Sequence, residues 1–208
     1  MEMGSREVEK LLGARLGDTG LDPQRTLAFR GRLDRLRKLG CPTGVKTGKG
    51  RAATYGWTQV LQLSLALDLI NLGLTPEYAA DVATGEWHLV GLLCSRLNDL
   101  IGSPTAFERA VQDEKWPLLK SIFLLINIGA LSHFRQGDAL ASHAIGFQEG
   151  KKIIEWMRSA SPYEAANILI DLGTRLALLL KLVALWTRAD IADVVADFSE
   201  WAERHVNP

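Results

Sequence analysis

The stretch DPQRTLAFRGRLDRLRKLG, residues 22–40, decides how the first part of this chain folds. Asp22 suits a helix N-cap and Pro23 the first helical position, and the Gly40-Cys-Pro42 sequence ends the helical pattern. Spacing of 100° per residue predicts an apolar stripe formed by Phe29, Leu33, Leu36 and Leu39. We therefore predict a helix from Pro23 to Leu39 that packs through this stripe.

A shorter helical pattern precedes this stretch. Residues 5–16 carry Val8, Leu11, Leu12 and Leu16 at helical spacing, with Ser5 as the expected N-cap. Residues 17–20 contain two glycines and break the pattern. Two helices joined by a glycine-containing turn predict a helix-turn-helix unit.

Charge is sorted along the chain, although the whole chain has 24 basic and 24 acidic residues and a formal net charge of zero. Residues 1–60 contain twelve basic and six acidic residues, so that they carry +6 and the remainder carries −6. Such an asymmetry indicates a polyanion partner for the first part, or else a solvated helix face beside a basic loop. The overall composition, with 47% hydrophobic and 23% charged residues, excludes a disordered or histone-like chain.

The segment after the second helix, residues 44–55, is rich in Gly, Lys, Arg and Thr. We predict a two-stranded β-hairpin with a basic tip, because Gly48 and Gly50 supply the positive φ that a tight turn needs. A phosphate-binding Walker loop is excluded, since Lys49 is followed by glycine and the glycine spacing is too short.

A third helix is predicted from Thr58 to Leu72, with Gly73 as its C-cap residue and a new helix start at Thr75. Its apolar residues lie on two sides, which indicates burial on two sides. One side suits the small N-terminal core. The other is expected to meet the C-terminal part or another subunit.

Helix, turn, helix, basic hairpin, Tyr55 and a further helix ending Leu-Ile-Asn-Leu-Gly-Leu-Thr-Pro-Glu (residues 69–77) together resemble the MerR-type winged helix-turn-helix family. The resemblance covers residues 5–83 and is most specific over residues 51–82. It implies a bacterial transcription regulator that binds DNA as a dimer, with the second helix in the major groove and the wing on the phosphate backbone. Arg25-Thr26-Leu27 occupies the place of the family's Thr-Leu pair.

Candidate DNA-binding residues follow from this placement and from the charge pattern. Wing cations and helix arginines would neutralise phosphates, and polar side chains near the helix start would reach base edges. The predicted contacts are Gln24, Arg25, Thr26, Arg30, Arg37, Lys46, Lys49, Arg51 and Tyr55. The competing structural interpretation is that Arg32 and Arg35 pair with Asp34 or cap the acidic half of the chain.

The C-terminal part contains predicted helices and strands but no recognised motif. Helices are predicted over residues 87–101, 107–114, 149–159 and 189–205. The apolar run 118–131 fits a buried strand or a helix, and the similar segments 124–129 and 168–173 suggest paired strands or a chance likeness. Residues 168–186 are interrupted by Asp171, Arg175 and Lys181, which favours a core helix or a strand followed by a helix over a membrane span.

No enzyme, cofactor or metal is predicted. Cys41 and Cys94 lie far apart without a Cys-x-x-Cys pair, and the four histidines lack the spacing of metal ligands. Charged residues interrupt the first 16 positions, so no signal peptide is expected and the predicted location is cytoplasmic.

We therefore predict a mainly α protein with a winged helix-turn-helix DNA-binding domain over residues 1–84 and a two-stranded wing. Residues 85–208 are predicted to form a mostly helical oligomerisation or sensing domain, with room for a small β element. The expected partners are double-stranded DNA, a second copy of the chain, RNA polymerase and an unidentified small-molecule effector, with no membrane. The alternative is a protein-interaction module whose winged-helix fold binds an acidic protein such as an antirepressor or polymerase-binding factor, and a small-molecule enzyme seated in the C-terminal half is a third hypothesis.

Overall fold

A computed structural model describes residues 1–17, 23–45, 52–85, 105, 109, 121–127, 145–159 and 167–206. These residues are mainly helical and include a two-stranded and a three-stranded sheet, which confirms the predicted mainly α class. The predictions for residues 46–51, 87–101 and 128–144 lie outside the described residues, as do those for 107–114 apart from Arg109, which is helical.

The first part of the chain forms four helices and two short strands. They are β1 (Met3–Gly4), α1 (Ser5–Leu16), α2 (Pro23–Lys38), β2 (Thr54–Tyr55), α3 (Trp57–Asn71) and α4 (Pro76–Gly85). The N-cap of α1 is Gly4 and not Ser5, because Gly4 has an extended backbone (φ −77°, ψ 162°) and Ser5 is already helical. The Glu7 carboxylate accepts a hydrogen bond from the Gly4 N–H at 2.7 Å. Helix α1 ends at Gly17, whose φ of 71° is the left-handed conformation that glycine adopts at low cost.

Strand β2 pairs with the start of the chain. Met3 lies opposite Tyr55 and Gly4 opposite Thr54 in an antiparallel pair. The predicted hairpin would pair the two ends of the 44–55 segment with each other. Residues 43–45 and 52–53 form no strand, and Thr54–Tyr55 pairs with β1 instead. Local β-propensity marks a strand but does not select its partner. Here both Met3 and Tyr55 are buried at 2% exposure, so burial of these side chains accompanies the pairing.

Helix α3 is buried on both sides, as its sequence predicts. Its N-terminal end reaches the C-terminal part of the chain, where Trp57 packs edge-on against Phe198 with ring centroids 5.2 Å apart. The indole of Trp201 also donates a hydrogen bond to Thr58 Oγ1 at 3.2 Å. Of the two partners expected for the second side of α3, the structure therefore shows the C-terminal part.

The elements described in full in the C-terminal part are a small antiparallel sheet and three helices. They are β3 (Ile122–Asn127), β4 (Ile145–Glu149), α5 (Gly150–Ser159), β5 (Asn167–Asp171), α6 (Leu172–Thr187) and α7 (Ile191–Val206). The strand order is β4-β3-β5, and Leu124 lies opposite Ile170. Residues 123–127 pair with residues 167–171, so the paired-strand interpretation of the two similar segments holds over the residues that the structure describes. Residues 168–186 form a strand followed by a helix.

Asp171 stands where β5 passes into α6, and it caps that helix. Its carboxylate accepts hydrogen bonds from the Thr174 N–H at 3.1 Å and from the Thr174 hydroxyl at 2.7 Å, and a further one from the Ser121 hydroxyl. This carboxylate therefore satisfies the first turn of α6.

A single hydrophobic core joins the two parts. The buried cluster contains Leu11 and Leu12 of α1, Leu67 of α3, Leu180 of α6 and Phe198 of α7. Among the described helices, none is long and apolar enough to cross a membrane.

Candidate nucleic-acid interface

Helix α2 is anchored through one face and exposed on the other. Phe29, Leu33 and Leu36 are 1%, 1% and 0% exposed, which confirms most of the predicted apolar stripe. On the opposite side, Leu27 is 70% exposed. The first two turns of α2 therefore present their outer face to solvent while the inner face packs into the core.

The predicted base-contacting residues lie at the start of this helix. Gln24 and Arg25 are exposed, and Thr26 is half-buried. Each of the three residues takes part in at least one interaction within the chain. Their position at the N-terminal end of α2 agrees with the position that base-contacting side chains take on a recognition helix. Because the three residues are consecutive in a helix, their side chains project about 100° apart around its axis.

Arg30 is also on the surface, but its charge is shared with α1. Its guanidinium Nε donates to Glu9 Oε1, and the Arg30 side chain remains 57% exposed. Exposed pairs of this kind contribute about 0–1 kcal/mol, so a phosphate can compete for the guanidinium.

Tyr55 is buried, which corrects its predicted role as a DNA contact, whereas Arg37 is 29% exposed and is partly engaged in contacts within the protein. The Arg37 guanidinium donates to Ser5 Oγ at 2.9 Å and to Asp34 Oδ1 at 3.0 Å, and it lies 5.9 Å from the centre of the Tyr55 ring. Tyr55 itself is 2% exposed. Arg37 therefore holds α2 against the start of α1 and strand β2, and the aromatic ring fills the space beneath it.

The basic character of α2 is reduced by carboxylates elsewhere in the fold. Arg35 pairs with Glu77 of α4, and hydrogen bonding and charge from that guanidinium hold the pKa of Glu77 below its usual range. Arg32 donates to Asn71 Oδ1 at 2.9 Å. Asp34 binds Arg37, and the Arg35–Glu77 pair agrees with the other structural interpretation, in which these arginines meet the acidic part of the chain. The sequence-based charge sum therefore overstates the cationic surface of this helix.

The three predicted wing cations, Lys46, Lys49 and Arg51, lie outside the described residues. The chain leading into that segment is fixed to α3, because the Thr43 N–H donates to Gln62 Oε1 at 2.8 Å and Gln59 Nε2 donates to the Thr43 carbonyl at 3.0 Å. The start of the basic segment is thereby held on the same core as α2.

A buried ion network connects α1, α3 and α6, and sequence reasoning missed it. Arg15 is fully buried, and its Nη2 lies 2.8 Å from Asp68 Oδ1, which also accepts from Arg175 Nη1 at 2.9 Å. The Asp68 side chain is 5% exposed. The signal in the sequence is a lone aspartate among apolar residues of a helix buried on two sides, since a buried charge requires a partner.

Sequence reasoning also gave no separate role to Leu27. Helical geometry places Leu27 about 180° from Leu36 around the helix axis, outside the apolar stripe. That angle is the signal by which its exposure follows from the sequence.

The described residues contain no group of three His, Cys, Asp or Glu side chains placed to hold a metal ion. Cys41 is a free, buried thiol, and burial raises its pKa to about 12. Comparison with protein-family models, with curated proteins and with solved structures finds no match to this chain.

Proposed function

We propose that the protein is a sequence-specific DNA-binding transcription regulator of the winged helix-turn-helix type, acting in the cytoplasm as a homodimer. The observation that carries this proposal is the orientation of α2, whose apolar stripe is anchored while its N-terminal face is exposed. A helix of this kind fits the major groove, which is about 12 Å wide. Helix α1 contacts α2 through Glu9, which pairs with Arg30, and through Ser5, which accepts a hydrogen bond from Arg37.

Base contacts are assigned to Gln24, Arg25 and Thr26, which lie in the first turn of α2. Phosphate contacts are assigned to Arg30 and to the cations at 46, 49 and 51. Each phosphate neutralised by such a cation releases condensed counterions, so binding must weaken as salt rises. Contact with RNA polymerase and binding of a small effector by the C-terminal part are further expectations of the same proposal.

The first experiment is selection of bound duplexes from a random DNA pool by the full-length protein. Recovery of a shared sequence supports the proposal, and two half-sites at a fixed spacing support the homodimer. Absence of any enriched duplex contradicts it. A stable complex with an acidic protein, formed in place of DNA binding, would favour the interaction-module alternative.

The second experiment measures the affinity for a recovered duplex across salt, from about 50 to 200 mM. Lys49→Ala and Arg51→Ala are each expected to weaken binding and to reduce the salt slope by about one phosphate contact. Lys152→Ala is the matched control, because Lys152 is an exposed lysine on α5. Equal slopes for Lys49→Ala and Lys152→Ala would contradict the assignment of the 46–51 segment to the DNA backbone.

A further inference from the structure

We infer that Gln59 of α3 is a positioning residue for the cations Lys46, Lys49 and Arg51, because its side-chain amide joins the two ends of the 44–55 segment that carries them. The inference rests on the proposed function, since it concerns how these cations meet the DNA backbone. Gln59 itself is assigned no phosphate contact, and it acts through the three cations.

The amide of Gln59 bonds to both ends of the 44–55 segment. Its Oε1 accepts a hydrogen bond from the Gly56 N–H at 2.9 Å, and its Nε2 donates to the Thr43 carbonyl at 3.0 Å. Thr43 comes directly before the segment, and Gly56 comes directly after it. Because one amide group bonds to both, the chain leaves α3 and returns to it at the same point.

Gln62 holds the first of these ends a second time. It follows Gln59 by three residues, which places the two side chains on the same face of α3. Gln62 Oε1 accepts from the Thr43 N–H at 2.8 Å, and Gln62 Nε2 donates to Thr43 Oγ1 at 3.0 Å. Gln62 is fully buried, so this amide has a fixed place in the core.

The two ends are held by different contacts. The second end belongs to β2, which pairs with β1, and Tyr55 is buried there. At the first end, Thr43 is exposed and residues 43–45 form no strand. The hydrogen bonds to Gln59 and Gln62 are the polar contacts that the structure shows for Thr43, so they fix the first end to α3.

Joined ends favour polyanion binding by the residues between them. The twelve residues 44–55 include three basic residues and no acidic one. Ordering a chain segment during binding costs conformational entropy, which reduces the affinity. Since the ends of this segment are joined before DNA arrives, part of that cost is met by folding. Without the Gln59 amide, DNA binding would have to meet it.

The test measures binding to a mixed-sequence duplex across salt, from about 50 to 200 mM, because phosphate contacts do not depend on base sequence. Gln59→Met removes both hydrogen bonds and keeps an unbranched side chain. We expect it to weaken binding about fivefold, which corresponds to the net contribution of one hydrogen bond. The salt slope should stay at the wild-type value, because every cation is still present. Gln62→Met, which removes only contacts to Thr43, should behave in the same way.

A background without the three cations separates positioning from a general structural role. In the triple variant Lys46→Ala, Lys49→Ala and Arg51→Ala, adding Gln59→Met should cost no further affinity, because a positioning residue acts only through the groups that it positions. Thr58→Val is the matched control. Thr58 is the neighbour of Gln59 on α3, and it accepts a hydrogen bond from the Trp201 indole instead of from the 44–55 segment. This control should bind the duplex as tightly as the wild-type protein, and thermal melting checks that each variant folds.

Three results would each overturn the inference while the proposed function stands. They are wild-type affinity in both glutamine variants, an equal loss of affinity in Thr58→Val, and an undiminished effect of Gln59→Met in the cation-free background. Failure of the wild-type protein to bind any duplex would overturn both.

Discussion

Replacing Asp68 by asparagine should destabilise the protein strongly, because the change leaves a cation buried without its counter-charge. The Arg15 side chain is fully buried, and its Nη2 keeps the Ser64 carbonyl as an acceptor at 3.0 Å. Its Nε and Nη1 are also buried and hydrogen-bond to no atom that the structure describes. The carboxylate of Asp68 is therefore the main compensation for the guanidinium charge among the described contacts.

Removing one partner of a buried ion pair costs about 3–5 kcal/mol. Asparagine keeps a carbonyl oxygen that can accept from Arg15, which places the expected loss near the lower end, at about 3 kcal/mol. For a chain of this length a loss of 1 kcal/mol lowers Tm by about 2–4 °C, so the variant should melt roughly 6–12 °C below the wild-type protein. This loss is a large fraction of a typical total stability of about 5–15 kcal/mol.

The assay is urea and thermal unfolding followed by circular dichroism. Glu77→Gln is the matched control, because Glu77 pairs with one arginine at the surface, where such pairs contribute at most about 1 kcal/mol. The double variant Arg15→Met with Asp68→Leu removes both charges and should lose less stability than Asp68→Asn alone. The reasoning is refuted if Asp68→Asn costs no more than Glu77→Gln.

Two further predictions concern titratable groups. Burial raises the pKa of the Cys41 thiol to about 12, so iodoacetamide at neutral pH should leave Cys41 unmodified in the native protein and modify it after unfolding, as read by peptide mass spectrometry; rapid native modification would contradict its burial. Partial burial raises the pKa of Asp197, but hydrogen bonds from the Met1 ammonium and the Trp57 indole, together with nearby positive charge, outweigh it and leave the pKa below the ordinary value of 3.8. Because this pKa is depressed, the carboxylate stabilises the fold above about pH 4, and that contribution is lost as pH falls through the folded pKa. Asp197→Asn should therefore lower the urea midpoint at neutral pH and flatten its decline in acid, and parallel pH profiles for the two proteins would count against the contact.

The helices were predictable because their signals are local. Pro23 begins α2 as predicted, and its predicted end lies one residue beyond the observed end at Lys38. The C-cap of α3 is Leu72 and not Gly73, which follows it with a φ of 95°. The buried stripe of α2 follows from the 3.6-residue period alone. The same period places Leu27 on the outer face.

Strand partners were harder to predict. The likeness of segments 124–129 and 168–173 left paired strands and a chance similarity open, and the structure places β3 and β5 side by side. The short strand at Thr54–Tyr55 carried no such likeness to Met3–Gly4, so its partner was assigned to the nearest segment in sequence. Sequence proximity favours a hairpin, but burial of Met3 and Tyr55 accompanies the observed pairing.

The positions of the basic residues follow from the sequence, whereas their pairing partners depend on the tertiary structure. The sequence established that basic residues are concentrated in α2 and the following segment, and its periodicity determined which face of α2 is buried. The tertiary structure decided which of those cations remain at the surface, since Glu9, Glu77 and Asp34 pair with arginines of α2, and it turned Arg37 inward toward Tyr55. The physical reason is that helix formation depends on neighbours a few residues apart, whereas pairing of charges and strands depends on distances between segments far apart in sequence.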